Sequence, residues 1–300
     1  MFNNLPPTFL LSLSALFWAG NFVVGRWAHA TMPPLGLTFW RWFIAGLILL
    51  PFVGKDIWQH RACIRQNIGW FFVLALTGMA MFHSFTYIAL ATTTAINASF
   101  VLASMPMVIP IVSLVVGDER LNVKQTIGIA ISIMGVVIIV SRGEFETLRH
   151  LNFAPGDLWI LASVLAWSIY SVMLKRKPKA LPPLVLLATT VYIAIVIMLP
   201  IYIWEYSIVG GFDVQPVNML VIAYLAIFAS IAAFVCWNTG VHHIGANKSG
   251  LFIHMIPLFA SILSIIFLGE TLKPYHFVGI APILAGIYLT TTAKIKTKAI

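Results

Sequence analysis

Apolar residues recur in runs of about 20 along almost the whole chain, and short intervening stretches hold most of the charged positions. A bilayer core takes about 20 residues of helix per crossing. Ten segments meet that length: 8–26, 35–53, 68–90, 93–116 and 124–141, then 157–174, 183–204, 217–240, 246–268 and 275–293. Polar and apolar positions do not alternate within them as they would in a barrel strand. A helix, by contrast, satisfies its own backbone hydrogen bonds in hydrocarbon. The pattern predicts an all-α membrane protein with ten transmembrane helices.

The pattern is also written twice. A shift of 149 positions lays Ser14 on Ser163, Trp18 on Trp167, Pro33 and Pro34 on Pro182 and Pro183, and Pro51 on Pro200. A shift of 151 lays Ala95 on Ala246, Pro106 on Pro257, Glu119 on Glu270, Gly128 on Gly279 and Gly135 on Gly286. The expectation is one membrane-embedded unit over 1–300 made of two pseudo-repeats, 1–150 and 151–300. Five spans is an odd number, so the second repeat runs inverted to the first. Two such halves can rock against each other around a central site.

Composition agrees, because a chain that is 60% hydrophobic and 9% charged cannot bury its apolar side chains as a soluble domain. The formal net charge of +9 would suit nucleic acid only if it were clustered on one surface. Here 13 of the 18 basic residues fall on one set of alternate loops, among them Lys175, Arg176, Lys177 and Lys179. The other five, Arg26, Arg41, Arg142, Arg149 and Lys273, belong to the opposite loops or span ends. Retention of Lys and Arg on the inner side then puts both termini in the cytoplasm. The charge is read as topology with attraction to anionic membrane lipids, not as a nucleic-acid site. Met1 to Pro7 lacks a basic n-region, so the first helix is expected to stay in the mature protein. Cys63 and Cys236 have no disulfide or metal spacing, and no metal or cofactor is expected.

Polar side chains inside spans are costly and so face a cavity or another helix. Ser14, Trp18 and Asn21 share one face of the first span, as Ser163, Trp167, Tyr170 and Ser171 do in the sixth. Two readings are open for these faces: walls of a substrate path, or helix packing with aromatic filler. His83, Ser84, Thr86 and Tyr87 in the third span match Trp237, Asn238 and Thr239 in the eighth, with His83 the deeper and Trp237 a candidate interfacial anchor. His83 is either a partner for a substrate carboxylate or a neutral histidine bonded across helices. Asn247, Gly250, His254, Pro257, Ser261 and Ser264 form a stripe in the ninth span, answered in the fourth by Asn97, Ser104 and Pro106. Pro106 and Pro257 are hinge candidates, since proline removes a donor and clashes with the preceding turn. Fixed kinks are the other reading.

All nine acidic residues fall in expected loops or at helix ends. Without a midplane carboxylate, ion coupling is expected to be weak or absent, and His83 and His254 are the candidate buried proton carriers. The Glu119 and Glu270 pair is read as helix-end capping or as loop ion pairs with Arg120 and Lys273. No HExxH, Gly-rich phosphate loop or nucleotide domain is present, so an enzyme or an ATP-driven pump is not expected. An intramembrane serine protease using Ser249 is the distant alternative.

The stretches Trp18-Ala19-Gly20-Asn21-Phe22, Pro33-Pro34 and Phe39-Trp40-Arg41-Trp42 resemble the opening of EamA-type members of the drug/metabolite transporter superfamily. Ala95 to Pro106 leading to Gly117-Asp118-Glu119-Arg120-Leu121 does so too, as do Ser230-Ile231-Ala232-Ala233, Gly245-Ala246, Pro257 and Gly269-Glu270. Within the superfamily the chain is most similar to YddG-type amino-acid exporters. That resemblance implies an inner-membrane secondary transporter, expected to be monomeric, exporting aromatic and other neutral amino acids by alternating access. Drugs, cations or other metabolites are the alternative cargo. The expected substrate-binding residues are Trp18, Asn21, His83, Tyr87, Asn97, Trp167, Tyr170, Trp237, Asn238 and His254. Aromatic faces would hold an ammonium for about 0.5–2 kcal/mol each.

Overall fold

Proline opens six of the long helices, where its missing N–H costs nothing and its fixed φ is already helical. In chain order the elements are α1 (Pro7–Ala28), α2 (Pro34–Gln59), α3 (Ile68–Leu90), the bent pair α4a (Ala95–Leu102) and α4b (Met105–Val115), and α5 (Val123–Val140). The second set is α6 (Pro155–Leu174), α7 (Pro183–Val209), α8 (Pro216–Val241), α9 (Met255–Leu268) and α10 (Pro274–Thr291). Short helices Arg61–Gln66 and Phe145–Arg149 lie in connections. The computed structural model describes residues 5–116, 122–150, 153–178, 181–244, 249 and 252–291, and every regular element among them is a helix. Glu119, Asn247 and Gly250 lie outside the described residues.

Seven helices are long and apolar enough to cross a membrane, eight when α4a and α4b count as one span. α9 and α10 are apolar but shorter. The shortfall against ten lies at the ends of these two helices. The expected ninth span opens at 246, and 245–248, 250 and 251 are not described; the expected tenth runs to 293, beyond the last described residue. α7 departs the other way. It continues through Glu205, expected in a loop, and that carboxylate is buried where it accepts hydrogen bonds from Leu35 N and Gly36 N at the start of α2. Four orphan N–H groups at a helix start are what a carboxylate there answers.

The packing is reciprocal. α1 lies against α8 and α9, α6 lies against α3 and α4, α2 pairs with α7, and α5 pairs with α10. α5 and α10 cross at backbone contact: a β-carbon on Gly128 would strike the Gly286 carbonyl, and one on Gly135 the Gly279 carbonyl. Ascending numbers on one helix meet descending numbers on the other, so this pair is antiparallel. Small residues permit such close approach where no hydrophobic effect operates between helices.

α3 and α8 each contain a π-helical stretch, Ala75–Met81 and Leu225–Ala232. These lie at matching positions under the shift of 151. A widened turn leaves carbonyls free for side chains, and π turns gather at functional sites. Met79 O takes the Trp42 indole N–H and His83 Nδ1, while Ala229 O takes Arg41.

Candidate functional site

The break between α4a and α4b and the start of α9 border a cavity of about 80 Å³. Its walls are Trp18, Asn21 and Phe22 from α1, Arg41 from α2, Phe82 and His83 from α3, and Ser99, Leu102, Ala103 and Met105 at the α4 break. Trp167 from α6, Phe234 from α8, and Ile253, Ile256 and Pro257 at the start of α9 complete it. α4a and α4b meet at 44°, with Pro106 in the first turn of α4b, and Pro257 stands likewise in the first turn of α9. Both prolines begin the helix after a break instead of kinking a continuous one, because neither position then needs an intrahelical N–H.

One polar cluster dominates this otherwise apolar chamber. Arg41 is fully buried, and its Nε donates to Ser230 Oγ at 2.7 Å. Its Nη1 donates to Asn21 Oδ1 at 2.6 Å and to the Tyr87 hydroxyl at 2.7 Å, and its Nη2 donates to Ala229 O at 3.2 Å. Tyr87 in turn donates to Asn21 Oδ1 at 2.8 Å. The Arg41 guanidinium also lies 4.9 Å from the Trp42 ring centre. Among the described residues no carboxylate lies within 4.0 Å of it. A guanidinium stays protonated in proteins, so the cluster holds an uncompensated positive charge.

Hydrogen-bond logic fixes two neighbours. Asn21 Oδ1 is the shared acceptor of two donors, which turns the Asn21 Nδ2 donors away from Arg41 on a residue that lines the cavity. His83 Nδ1 lies 3.1 Å from Met79 O, and a carbonyl only accepts, so Nδ1 carries the hydrogen. Neutral His83 then offers Nε2 as an acceptor. Trp42 and Phe82 clamp the imidazole edge-on at 5.0 and 4.8 Å.

The expected site residues divide into three groups. Trp18, Asn21, His83, Trp167 and Pro257 stand in the cavity wall. Tyr87, Tyr170, Trp237 and His254 lie just behind it: Tyr87 holds Arg41, Tyr170 packs on Trp167 at 5.0 Å and Trp237 on Trp18 at 5.4 Å. His254 falls between the lining residues Ile253 and Ile256, at the turn that starts α9. Asn97 and Asn238 are elsewhere. Asn97 donates to the buried Asp157 at 2.6 Å and edges a different hollow, beside Arg26, Arg142 and Lys273. Asn238 is exposed on α8 and does not line the cavity.

Arg41, counted among five basic residues of outer loops and span ends, stands near the start of a span but is buried among the helices. It lies in the second turn of α2. Its position six residues into an apolar run was the signal, since a charge at that depth faces a partner or a cavity. Ser230 and Phe234 carried no such mark. Glu270 is also a cap, but of a distant helix: it accepts from Ala95 N and Ile96 N at 2.8 and 2.9 Å and makes no ion pair with Lys273, while Arg120 lies outside the described residues.

Apolar helices of spanning length around a shared cavity define a multi-pass membrane protein of transporter class. The chain belongs to the EamA-like transporter family, whose model matches residues 6–141 and again 154–292. It is similar to an uncharacterized transporter of Archaeoglobus fulgidus, at 28% identity over 96% of this chain and 98% of that one. The uncharacterized transporter YyaM of Bacillus subtilis is 24% identical, with 94% and 92% covered. A solved crystal structure shares the fold, with a TM-score of 0.58 at 20% identity over 94% of this chain and 95% of that chain.

Proposed function

We propose that the protein is a secondary carrier that exports amino acids, aromatic and other neutral ones, across the inner membrane of a bacterial cell by alternating access. One observation carries the reading: Trp18 and Trp167, His83 and Phe234, Leu102 and Ile253, and Met105 and Ile256 hold matching positions in the two sequence copies and stand around one cavity. Paired walls of this kind suit two inverted five-helix repeats that exchange roles as the site turns from one side to the other. The reciprocal packing and the antiparallel α5–α10 crossing support that inversion. Ten spans follow if α4a with α4b forms one crossing and α9 and α10 complete the second repeat. The basic residues of the alternate loops then put both termini in the cytoplasm.

The aromatic rings of Trp18, Phe82, Trp167 and Phe234 offer flat faces to an apolar side chain. The resemblance to YddG-type exporters points the same way. No carboxylate is among the described lining residues, which supports transport without strict ion coupling. The unit is proposed to act as a monomer in lipid, without cofactor or nucleic acid.

The test is counterflow of labelled phenylalanine into liposomes that contain the purified protein, unlabelled amino acids and an internal pH dye. Saturable exchange without a pH change is expected. No exchange for any amino acid overturns the substrate, and a substrate-dependent pH change overturns the uncoupled mechanism.

A further inference from the structure

The cavity is asymmetric in charge, and that asymmetry addresses which end of a substrate it holds. Its only charged described wall residue is Arg41, buried, partnered by neutral groups, and set behind the Asn21 amide. Asn21 Oδ1 is consumed by Arg41 and Tyr87, so Asn21 presents N–H donors to the cavity with a positive charge directly behind them. His83 lines the same chamber, and with its hydrogen on Nδ1 the neutral imidazole has Nε2 as its acceptor. The remaining described wall is apolar apart from Ser99.

Resting on the carrier reading above, we infer that the Asn21–Arg41 pair is a carboxylate-binding subsite, and that the substrate class is small monocarboxylates with an apolar or aromatic body. In this class the carboxylate is required and an α-ammonium is not. The carboxylate accepts from Asn21 Nδ2 and neutralises Arg41 through one hydrogen-bonded layer. An α-substituent that donates, hydroxyl or ammonium, meets His83 Nε2. The aromatic faces take the side chain. A zwitterion leaves the net charge of the occupied site at +1, whereas a monoanion brings it to zero, so a 2-hydroxy acid binds at least as well as the amino acid of the same skeleton. A charge-assisted hydrogen bond to the carboxylate is worth roughly tenfold to hundredfold in affinity.

Export of a monoanion is also driven without a coupled ion. An inside-negative potential of 100 mV supports an outward concentration ratio of about 50-fold for one negative charge.

The experiment uses three probes on one carbon skeleton: L-3-phenyllactate, L-phenylalanine and phenethylamine. Each competes for binding to the purified full-length protein, followed by tryptophan fluorescence, and for counterflow in proteoliposomes. The inference expects phenyllactate to equal or exceed phenylalanine, and phenethylamine to be at least about tenfold weaker. Phenethylamine as effective as phenyllactate, or phenylalanine more than tenfold tighter than phenyllactate, overturns it and leaves the carrier reading standing, because exchange is still seen. Exchange of none of the three overturns both. Asn21→Asp supplies the second readout by placing a carboxylate on Arg41 while keeping an acceptor there. It is expected to abolish or reverse the preference for phenyllactate over phenethylamine, and an unchanged preference in the folded variant overturns the subsite. An Asn21→Asp protein that does not fold leaves the wild-type ranking to decide.

Discussion

The two halves of the molecule are alike where they touch each other's backbone and differ in charge where they face the cavity. At the α5–α10 crossing, Gly128 and Gly135 of the first half meet Gly286 and Gly279 of the second, and each glycine contacts the other half's counterpart of its neighbour. At the cavity, Asn21 and Arg41 of the first half correspond to Tyr170 and Thr190 of the second. Thr190 is buried but turns its hydroxyl back to Leu186 O, and no carboxylate of the described residues lies within 4.0 Å of Arg41. The shared features are the ones that allow close helix crossings and paired breaks. On the proposed reading, recognition falls to one half only, and a substrate meets a charged end and an apolar end in one cavity.

The largest effect is expected at the symmetric crossing. Gly135→Leu drives a side chain into the Gly279 backbone and Ile283, which have no flexible end to move aside. Overpacking of this kind costs about 3 kcal/mol. Gly279→Leu meets Ile139 and the Gly135 carbonyl and is expected to cost about as much. Equal losses of folded protein on size-exclusion chromatography in detergent would sharpen the equivalence of the halves. A tolerated change at one glycine and collapse at the other would break it.

Helix starts, breaks and crossings were easier to read from the sequence than the buried polar cluster, for a physical reason. Trp, Pro and Gly at fixed shifts report helix starts, breaks and close crossings, which depend on one residue type at one position. Trp18 and Trp167, marked in this way as possible walls, and Pro257, marked as a hinge, all line the cavity. A buried polar cluster depends on several helices at once. Asn21 and Tyr87 were legible as candidates, but Ser230 and the Ala229 carbonyl join Arg41 only because α8 widens there. Arg41 itself was absorbed into the count of loop charges. Asn97 misled in the opposite way: its polarity serves Asp157 and Thr93, not the cavity.

The asymmetric cluster gives the next effects. Tyr87→Phe removes an acceptor from Arg41 Nη1 and a donor from Asn21 Oδ1. A loss of about 1–3 kcal/mol is expected, read as a lower thermal midpoint, with weaker carboxylate counterflow. Glu270→Gln removes the charge that faces the first N–H groups of α4a and is expected to cost about 1 kcal/mol. Glu205→Gln at the start of α2 should behave similarly. A Glu270→Gln protein as stable as the parent would show that the amide caps as well as the carboxylate.

The smallest effect is expected at the residue that stands where Asn21 stands in the other half. Tyr170 is buried beside Gly78 and Trp167, and its hydroxyl makes no hydrogen bond with the described residues. Tyr170→Phe keeps the ring that fills this space and removes only the oxygen. Stability should stay within about 0.5 kcal/mol, and the ranking of phenyllactate over phenethylamine should not move. Asn21→Leu removes the cavity-facing donors as well as the acceptor of Arg41, and is expected to lose that ranking. The pair of variants separates a charged first half from an apolar second half. A substrate ranking altered as much by Tyr170→Phe as by Asn21→Leu would mean that both halves hold the polar end of the substrate, and that the cavity is symmetric in function as well as in fold.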